Sequence, residues 1–274
     1  MSVLGTWVDG IESGTLAVDD RGLQYGDGVF ETVLVRACKA RFLDAHLARL
    51  ASGLARLRIR FGAWDALRAD LIRATTQAPE YAVLKIIVTR GTGPHRGYSP
   101  RECATPRRIV MSFAAAPPPD FAAGVDLRFA ALRVASQSAL AGIKHLNRLE
   151  NVLAAMEPGH DTHFESLLLD AAGDLVGGTM SNVFVVHRGT ISTPPIVDAG
   201  VAGIMRGIVL RECAALGSRA EVRRLSPADL TSADEVFITN ARLGVVPARR
   251  LGEHAFRMRD TAIRLRTHIE ALDA

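Results

Sequence analysis

Three side chains in this 274-residue sequence could act as amine nucleophiles, because Lys39, Lys85 and Lys144 are its only lysines. The remaining fixed positive charge is arginine, which stays protonated and does not attack carbonyl carbon. Lys39 falls in the polar, hairpin-like stretch at residues 36–41, a solvated setting. Lys85 lies inside the apolar run at residues 81–90, where a desolvated amine and an edge-strand or ion-paired lysine are both open. Lys144 stands in Leu140-Ala-Gly-Ile-Lys-His-Leu-Asn-Arg-Leu-Glu150, immediately before an amphipathic helix, where a side chain can project into a cleft. A lysine nucleophile needs burial or a cationic neighbour to lower its pKa, so position alone leaves Lys144 a candidate.

A second kind of chemistry is suggested at Gly203-Ile-Met-Arg206, which follows the flexible Ala199-Gly-Val-Ala-Gly203. A helix opening there would present unpaired N–H groups and the positive end of its dipole to an anion such as a phosphate. A bland turn is the alternative. Arg21-Gly-Leu-Gln-Tyr-Gly-Asp-Gly-Val-Phe-Glu-Thr32 is glycine-rich but has neither a Lys-Ser/Thr ending nor a GxGxxG pattern, so it reads as a tight turn rather than a nucleotide loop. The three cysteines, Cys38, Cys103 and Cys213, are widely spaced and form no CxxC or Cys/His group, which argues against disulfides and structural zinc; no metal is expected.

Residues 29–36, 81–90 and 107–113 have strand patterns. Asp44 can cap a helix whose Leu47, Leu50, Leu54 and Leu57 share a face, and Gly62 and Pro79 punctuate two helices. The run Ala114-Ala-Ala-Pro-Pro-Pro119 can continue neither strand nor helix. Beyond it, Val125, Leu127 and Phe129 alternate, and Leu149, Val152, Leu153 and Met156 mark a helix stopped by Pro158-Gly159. Strands are expected at 166–170, 183–187 and 235–239, a helix at 204–216 ended by Gly217, and a short helix from Ser226-Pro227 with Asp229. The expectation is a mixed α/β chain of two domains: a smaller one at 1–116, a linker at 117–122, and a larger one at 123–274 that contains Lys144.

With 48% hydrophobic and 23% charged residues the chain can bury a large core. The net charge of +4 is spread along the sequence rather than clustered, which argues against nucleic acid as a partner. No basic segment leads into an apolar one at the N-terminus, and no eighteen-residue apolar run occurs, so no membrane role and a cytoplasmic location are expected.

Taken together, Asp20-Arg-Gly-Leu-Gln-Tyr-Gly-Asp-Gly-Val-Phe30, Asp44-Ala-His-Leu-Ala-Arg-Leu50 and Glu235-Val-Phe-Ile-Thr-Asn-Ala241 resemble the fold type IV pyridoxal-phosphate family. That family includes branched-chain and D-amino-acid aminotransferases and 4-amino-4-deoxychorismate lyases. Thr89-Arg-Gly-Thr-Gly-Pro-His-Arg-Gly-Tyr98 and Gly142-Ile-Lys-His-Leu-Asn-Arg-Leu-Glu-Asn-Val-Leu153 resemble the lyase branch, which forms 4-aminobenzoate and pyruvate on the way to folate. The resemblance implies pyridoxal 5'-phosphate at a domain interface, with Lys144 holding it as a Schiff base and moving the proton, and a homodimer acting on a small-molecule substrate. It implies that Arg49 pairs with the phosphate, that the Ile204 and Met205 amides cup it, and that Asn240 and Ala241 form a further phosphate-side loop. Arg90, Arg96 and Arg148 become candidates for the substrate's carboxylates. One position departs from the pattern: the glutamate expected to face the pyridine nitrogen is replaced by Gly177 in Gly177-Gly-Thr-Met-Ser-Asn182. Its loss weakens the electron sink, a handicap greater for transamination than for an elimination driven by aromatisation. Fold does not fix reaction, so an aminotransferase and a nonenzymatic binding protein remain the alternatives.

Overall fold

Alternating residues of the strand Gly28–Arg36 divide its side chains between two environments. Val29, Val33 and Val35 are buried in the core with Leu84, Ile86 and Val88 of a neighbouring strand, whereas Phe30 and Thr32 are only half-buried. The computed structural model describes residues 2–94, 97–103 and 105–272, and the chain divides into two units: Met1–Pro117 with Ile143–Asn147, and Pro118–Gly142 with Arg148–Ala274.

In chain order the first unit contains β1 (Val3–Val8), β2 (Ile11–Glu12), α1 (Arg21–Tyr25), β3 (Gly28–Arg36), β4 (Lys39–Ala40), α2 (Leu43–Arg56), α3 (Trp64–Thr76), β5 (Tyr81–Thr89) and β6 (Arg107–Ala114). Its strands form an antiparallel sheet in the order β2-β1-β6-β5-β3-β4. One sheet face is covered by Leu47, Leu50 and Leu54 of α2 and Leu67 and Leu71 of α3. Burying each leucine contributes roughly 2 kcal/mol. Gly53 permits the close approach of α2, since a Cβ there would stand 3.0 Å from Val29 Cγ1. The glycine-rich stretch forms the short α1, ended by Gly26 at φ 64°, before β3 begins. Asp44 does not cap α2: Phe42 precedes the helix without a side-chain cap, and Asp44 lies exposed in the first turn, paired with Arg68 at 3.2 Å. A carboxylate is still favourable there against the helix dipole.

Lys144 falls in the first unit, a correction to its expected place in the second domain. Strand β4 pairs only with Val35 and Arg36, so the start of β3 keeps a free edge. The segment Ile143–Asn147 takes that edge: Phe30 N–H donates to the Lys144 carbonyl at 2.9 Å, and Leu146 N–H donates to the Gly28 carbonyl at 3.0 Å.

The second unit contains β7 (Val125–Val134), α4 (Leu149–Ala155), β8 (Glu165–Asp170), β9 (Leu175–Gly178), β10 (Asn182–His187), β11 (Thr190–Thr193), α5 (Ile204–Glu212), β12 (Arg219–Val222), α6 (Pro227–Thr231), β13 (Glu235–Asn240), β14 (Gly244–Leu251), β15 (His254–Ala255) and α7 (Asp260–Ala271). Its sheet runs β12-β11-β10-β13-β14-β7-β8-β9, with β15 also on β14; β7 pairs in parallel with both β8 and β14. Two helices differ from expectation. The 204–216 helix ends at Glu212 and passes through a 3₁₀ turn to Gly217 at φ 68°. The apolar side chains of α4 face solvent, with Leu149 74% and Leu153 52% exposed.

Candidate functional site

In the first unit the half-buried face of the sheet converges on Phe30. Lys144 Nζ stands 4.3 Å from its ring centroid and Lys85 Nζ 5.7 Å. Lys85 pairs in register with Thr32 and Ile87 with Phe30, so Phe30, Thr32, Lys85 and Ile87 share that face. On the opposite face Glu31, fully buried, accepts from Arg49 at 2.7 Å (Nε) and 2.5 Å (Nη2), and lies 2.6 Å from His46 Nδ1. Burial pushes the Glu31 carboxyl up, but the hydrogen bonds and charges of Arg49 and His46 outweigh it and hold the group below the ordinary glutamate range. The pair fixes the Arg49 guanidinium in one orientation.

Arg90 differs from its expected role as an open carboxylate receptor. It is 8% exposed, donates to both Asp27 oxygens at 2.7 and 3.0 Å, and donates to the Leu57 and Arg58 carbonyls at 2.7 and 3.1 Å. Arg21 joins the same aspartate at 3.0 Å and holds the Gly97 and Tyr98 carbonyls, each at 2.9 Å. These arginines anchor the loop after β5; Arg96, within that loop, lies outside the described residues.

In the second unit α5 begins at Gly203 with no side-chain cap and no acid in its first turn. Its third residue is instead Arg206, whose Nε is buried without a hydrogen-bond partner; burial holds its pKa below the usual arginine value. A cation in the first turn opposes the helix dipole, so this start suits an anion. Asn182 donates to the Val201 carbonyl at 2.9 Å, and a Cβ on Gly203 would overlap Asn182 Oδ1, which requires glycine there. Ile204 and Met205 thus open a helix whose first N–H groups have no intrahelical acceptor. The Asn240 Oδ1 accepts from the Arg242 and Leu243 amides, at 3.0 and 2.8 Å, which fixes the side chain in the 240–241 loop.

Gly177 lies in β9 opposite Leu168; a Cβ there would meet only the Ser181 carbonyl, at 3.0 Å, so backbone conformation does not demand glycine. The buried Glu165 is no substitute acid. It faces Gly178 rather than Gly177 and already accepts from Ser166 and Thr179 amides at 3.0 Å, Met180 N–H at 3.1 Å, Ser181 Oγ at 2.8 Å and the Thr179 hydroxyl. Arg148 is the half-buried residue preceding α4.

The comparison that decides the family spans most of the chain: residues 28–251 match the amino-transferase class IV model. The chain belongs to the amino-transferase class IV family. An aminodeoxychorismate lyase of Vibrio harveyi is 34% identical over 245 residues, 88% of this chain and 89% of that protein. The crystal structure of a 4-amino-4-deoxychorismate lyase from Pseudomonas aeruginosa superposes with a TM-score of 0.90 at 42% identity, covering 98% of this chain and all of the other. A putative branched-chain-amino-acid aminotransferase of Methanocaldococcus jannaschii is 31% identical over 240 residues, 85% of this chain and 81% of that protein. The fold is the type IV pyridoxal-phosphate fold.

Class IV enzymes depend on pyridoxal 5'-phosphate, and this chain's donors fit that cofactor in two respects. Lys144 offers an amine, and the uncapped start of α5 with the orphaned Arg206 Nε suits a phosphate. Gly177, where the family resemblance puts an acid, carries no side chain to offer. The sequence leaves Lys85 open between a desolvated amine and an edge-strand or ion-paired lysine; its approach to the same ring as Lys144 depends on the β3–β5 register, which residue types alone do not reveal. Among the described residues no helix is long and apolar enough to cross a membrane, and no cluster of three His, Cys, Asp or Glu could hold a metal.

Proposed function

We propose that the chain is a pyridoxal-phosphate-dependent lyase that converts 4-amino-4-deoxychorismate into 4-aminobenzoate and pyruvate, working as a cytoplasmic homodimer. Bound cofactor supplies an electron sink conjugated to the substrate nitrogen. Lys144 Nζ anchors the cofactor, then takes the proton from the substrate carbon that bears the amino group. Substrate and products contain the same atoms, so that proton returns to the methylene carbon of the departing enolpyruvyl group and no water is consumed. Arg49, held by Glu31 and His46, and the Ile204 and Met205 amides bind the phosphate, with the 240–241 loop beside it. Lys85, Arg96 and Arg148 receive the two substrate carboxylates; Lys85 is favoured by its position on the Phe30 face.

The observation that carries elimination over transamination is Gly177, where glycine stands without a conformational need for it. A weak sink suffices when loss of the leaving group creates an aromatic ring. The apolar side chains at α4 support the homodimer: Leu149, Val152, Leu153 and, at the helix end, Met156 are all at least half exposed, a surface that a second copy would cover. Borohydride reduction of the holoenzyme followed by peptide mapping tests the anchor. The modification is expected on Lys144 and absent from Lys144→Ala, with Lys39→Ala unaffected; a label on Lys85 would move the assignment.

A further inference from the structure

One buried hydroxyl in the second unit's sheet has no hydrogen-bond partner among the described residues. Along β13, Glu235, Phe237 and Thr239 share a face. Phe237 stacks on Phe184 of β10 at 4.9 Å, and Thr239 stands directly opposite Asn182. Asn182 is the residue whose amide reaches Val201 and whose Oδ1 closes against Gly203. The Asn182 and Thr239 end of this face therefore leads to the first turn of α5. Thr239 is 1% exposed, and its Oγ1 has no hydrogen-bond partner among the described residues. The buried Thr193, on β11 of the same sheet, shows the usual outcome, donating to the Val183 carbonyl at 2.8 Å. An unmet buried hydroxyl costs roughly 1 to 3 kcal/mol, so it is tolerated where a ligand meets it.

We propose that the Thr239 hydroxyl is a further binding residue, donating to a phosphate oxygen held at the N-terminus of α5. The inference rests on the pyridoxal-phosphate reading above. Phosphate oxygens only accept hydrogen bonds, which matches a hydroxyl that lacks an acceptor beside a helix start that lacks a cap. Of the two adjoining side chains, Ala241 carries no polar atom, and the Asn240 oxygen is taken by the Arg242 and Leu243 amides.

The test titrates the full-length apo protein with pyridoxal 5'-phosphate and, separately, with pyridoxal, which lacks the phosphate. Wild type, Thr239→Val and Thr239→Ser are compared. Thr239→Val is expected to weaken pyridoxal 5'-phosphate binding roughly 5- to 30-fold, the loss of one hydrogen bond to a charged group. Pyridoxal affinity stays unchanged, the apo melting temperature is equal or higher, and Thr239→Ser restores phosphate-dependent binding. Unchanged pyridoxal 5'-phosphate affinity in Thr239→Val, or an equal loss for both ligands, overturns the assignment while leaving the functional reading intact. A wild type that takes up no pyridoxal 5'-phosphate overturns both.

Discussion

Arg49 carries its charge next to a buried carboxylate that it must satisfy, so its removal has two separable consequences. If Arg49 holds the phosphate as proposed, Arg49→Ala should weaken cofactor binding by roughly 2 to 5 kcal/mol, judged by truncations of desolvated charge pairs. It also strips two donors from Glu31, so the apo protein should melt at lower temperature. Titration of the apo form and a thermal melt read these effects independently; unchanged cofactor affinity would make Arg49 a structural residue alone. Gly177 offers the reverse experiment. Its backbone accepts a side chain with a small shift of the Ser181 carbonyl, so Gly177→Glu should fold and should raise the half-reaction with alanine more than the lyase rate. Equal changes in both, measured by single-turnover spectroscopy, would detach Gly177 from reaction choice. Lys144 and Gly177 stand out in the sequence because each lies in a distinctive run of neighbours, and their roles rest on the family resemblance of those runs. Lys85 and Thr239 do not, because their significance comes from cross-strand register and from an absent partner, neither of which residue type encodes.

The start of α5 depends on a glycine, and the local packing says why. A methyl group at Gly203 collides with Asn182 Oδ1, which is itself held by the Val201 carbonyl. Gly203→Ala should therefore displace the first turn of α5 and weaken binding of pyridoxal 5'-phosphate far more than of pyridoxal, as titration of each would reveal. Retained affinity would mean that this turn does not hold the phosphate. The elements themselves followed from periodicity where one face is more buried than the other, as in β3 and α2. Strand edges were less legible. The capture of Ile143–Asn147 by the free edge of β3 depends on how short β4 is, and β4 is cut short where Phe42 takes a positive φ and α2 begins at Leu43.

At the scale of the whole molecule, α4 presents its apolar residues outward although its sequence pattern resembles that of a core-facing helix. Periodicity reports that a face must be covered, not whether the cover comes from the same chain. Charging that face with Leu149→Asp and Leu153→Asp together should convert a dimer to monomers in sedimentation analysis, whereas an unchanged sedimentation coefficient would assign the contact elsewhere. The reaction itself is read by incubating the purified holoenzyme with 4-amino-4-deoxychorismate and measuring pyruvate and 4-aminobenzoate in the same sample. Equal amounts of the two, appearing together and absent with Lys144→Ala, are the predicted result. Untouched substrate, with rapid amino transfer from alanine or a branched-chain amino acid, would contradict it.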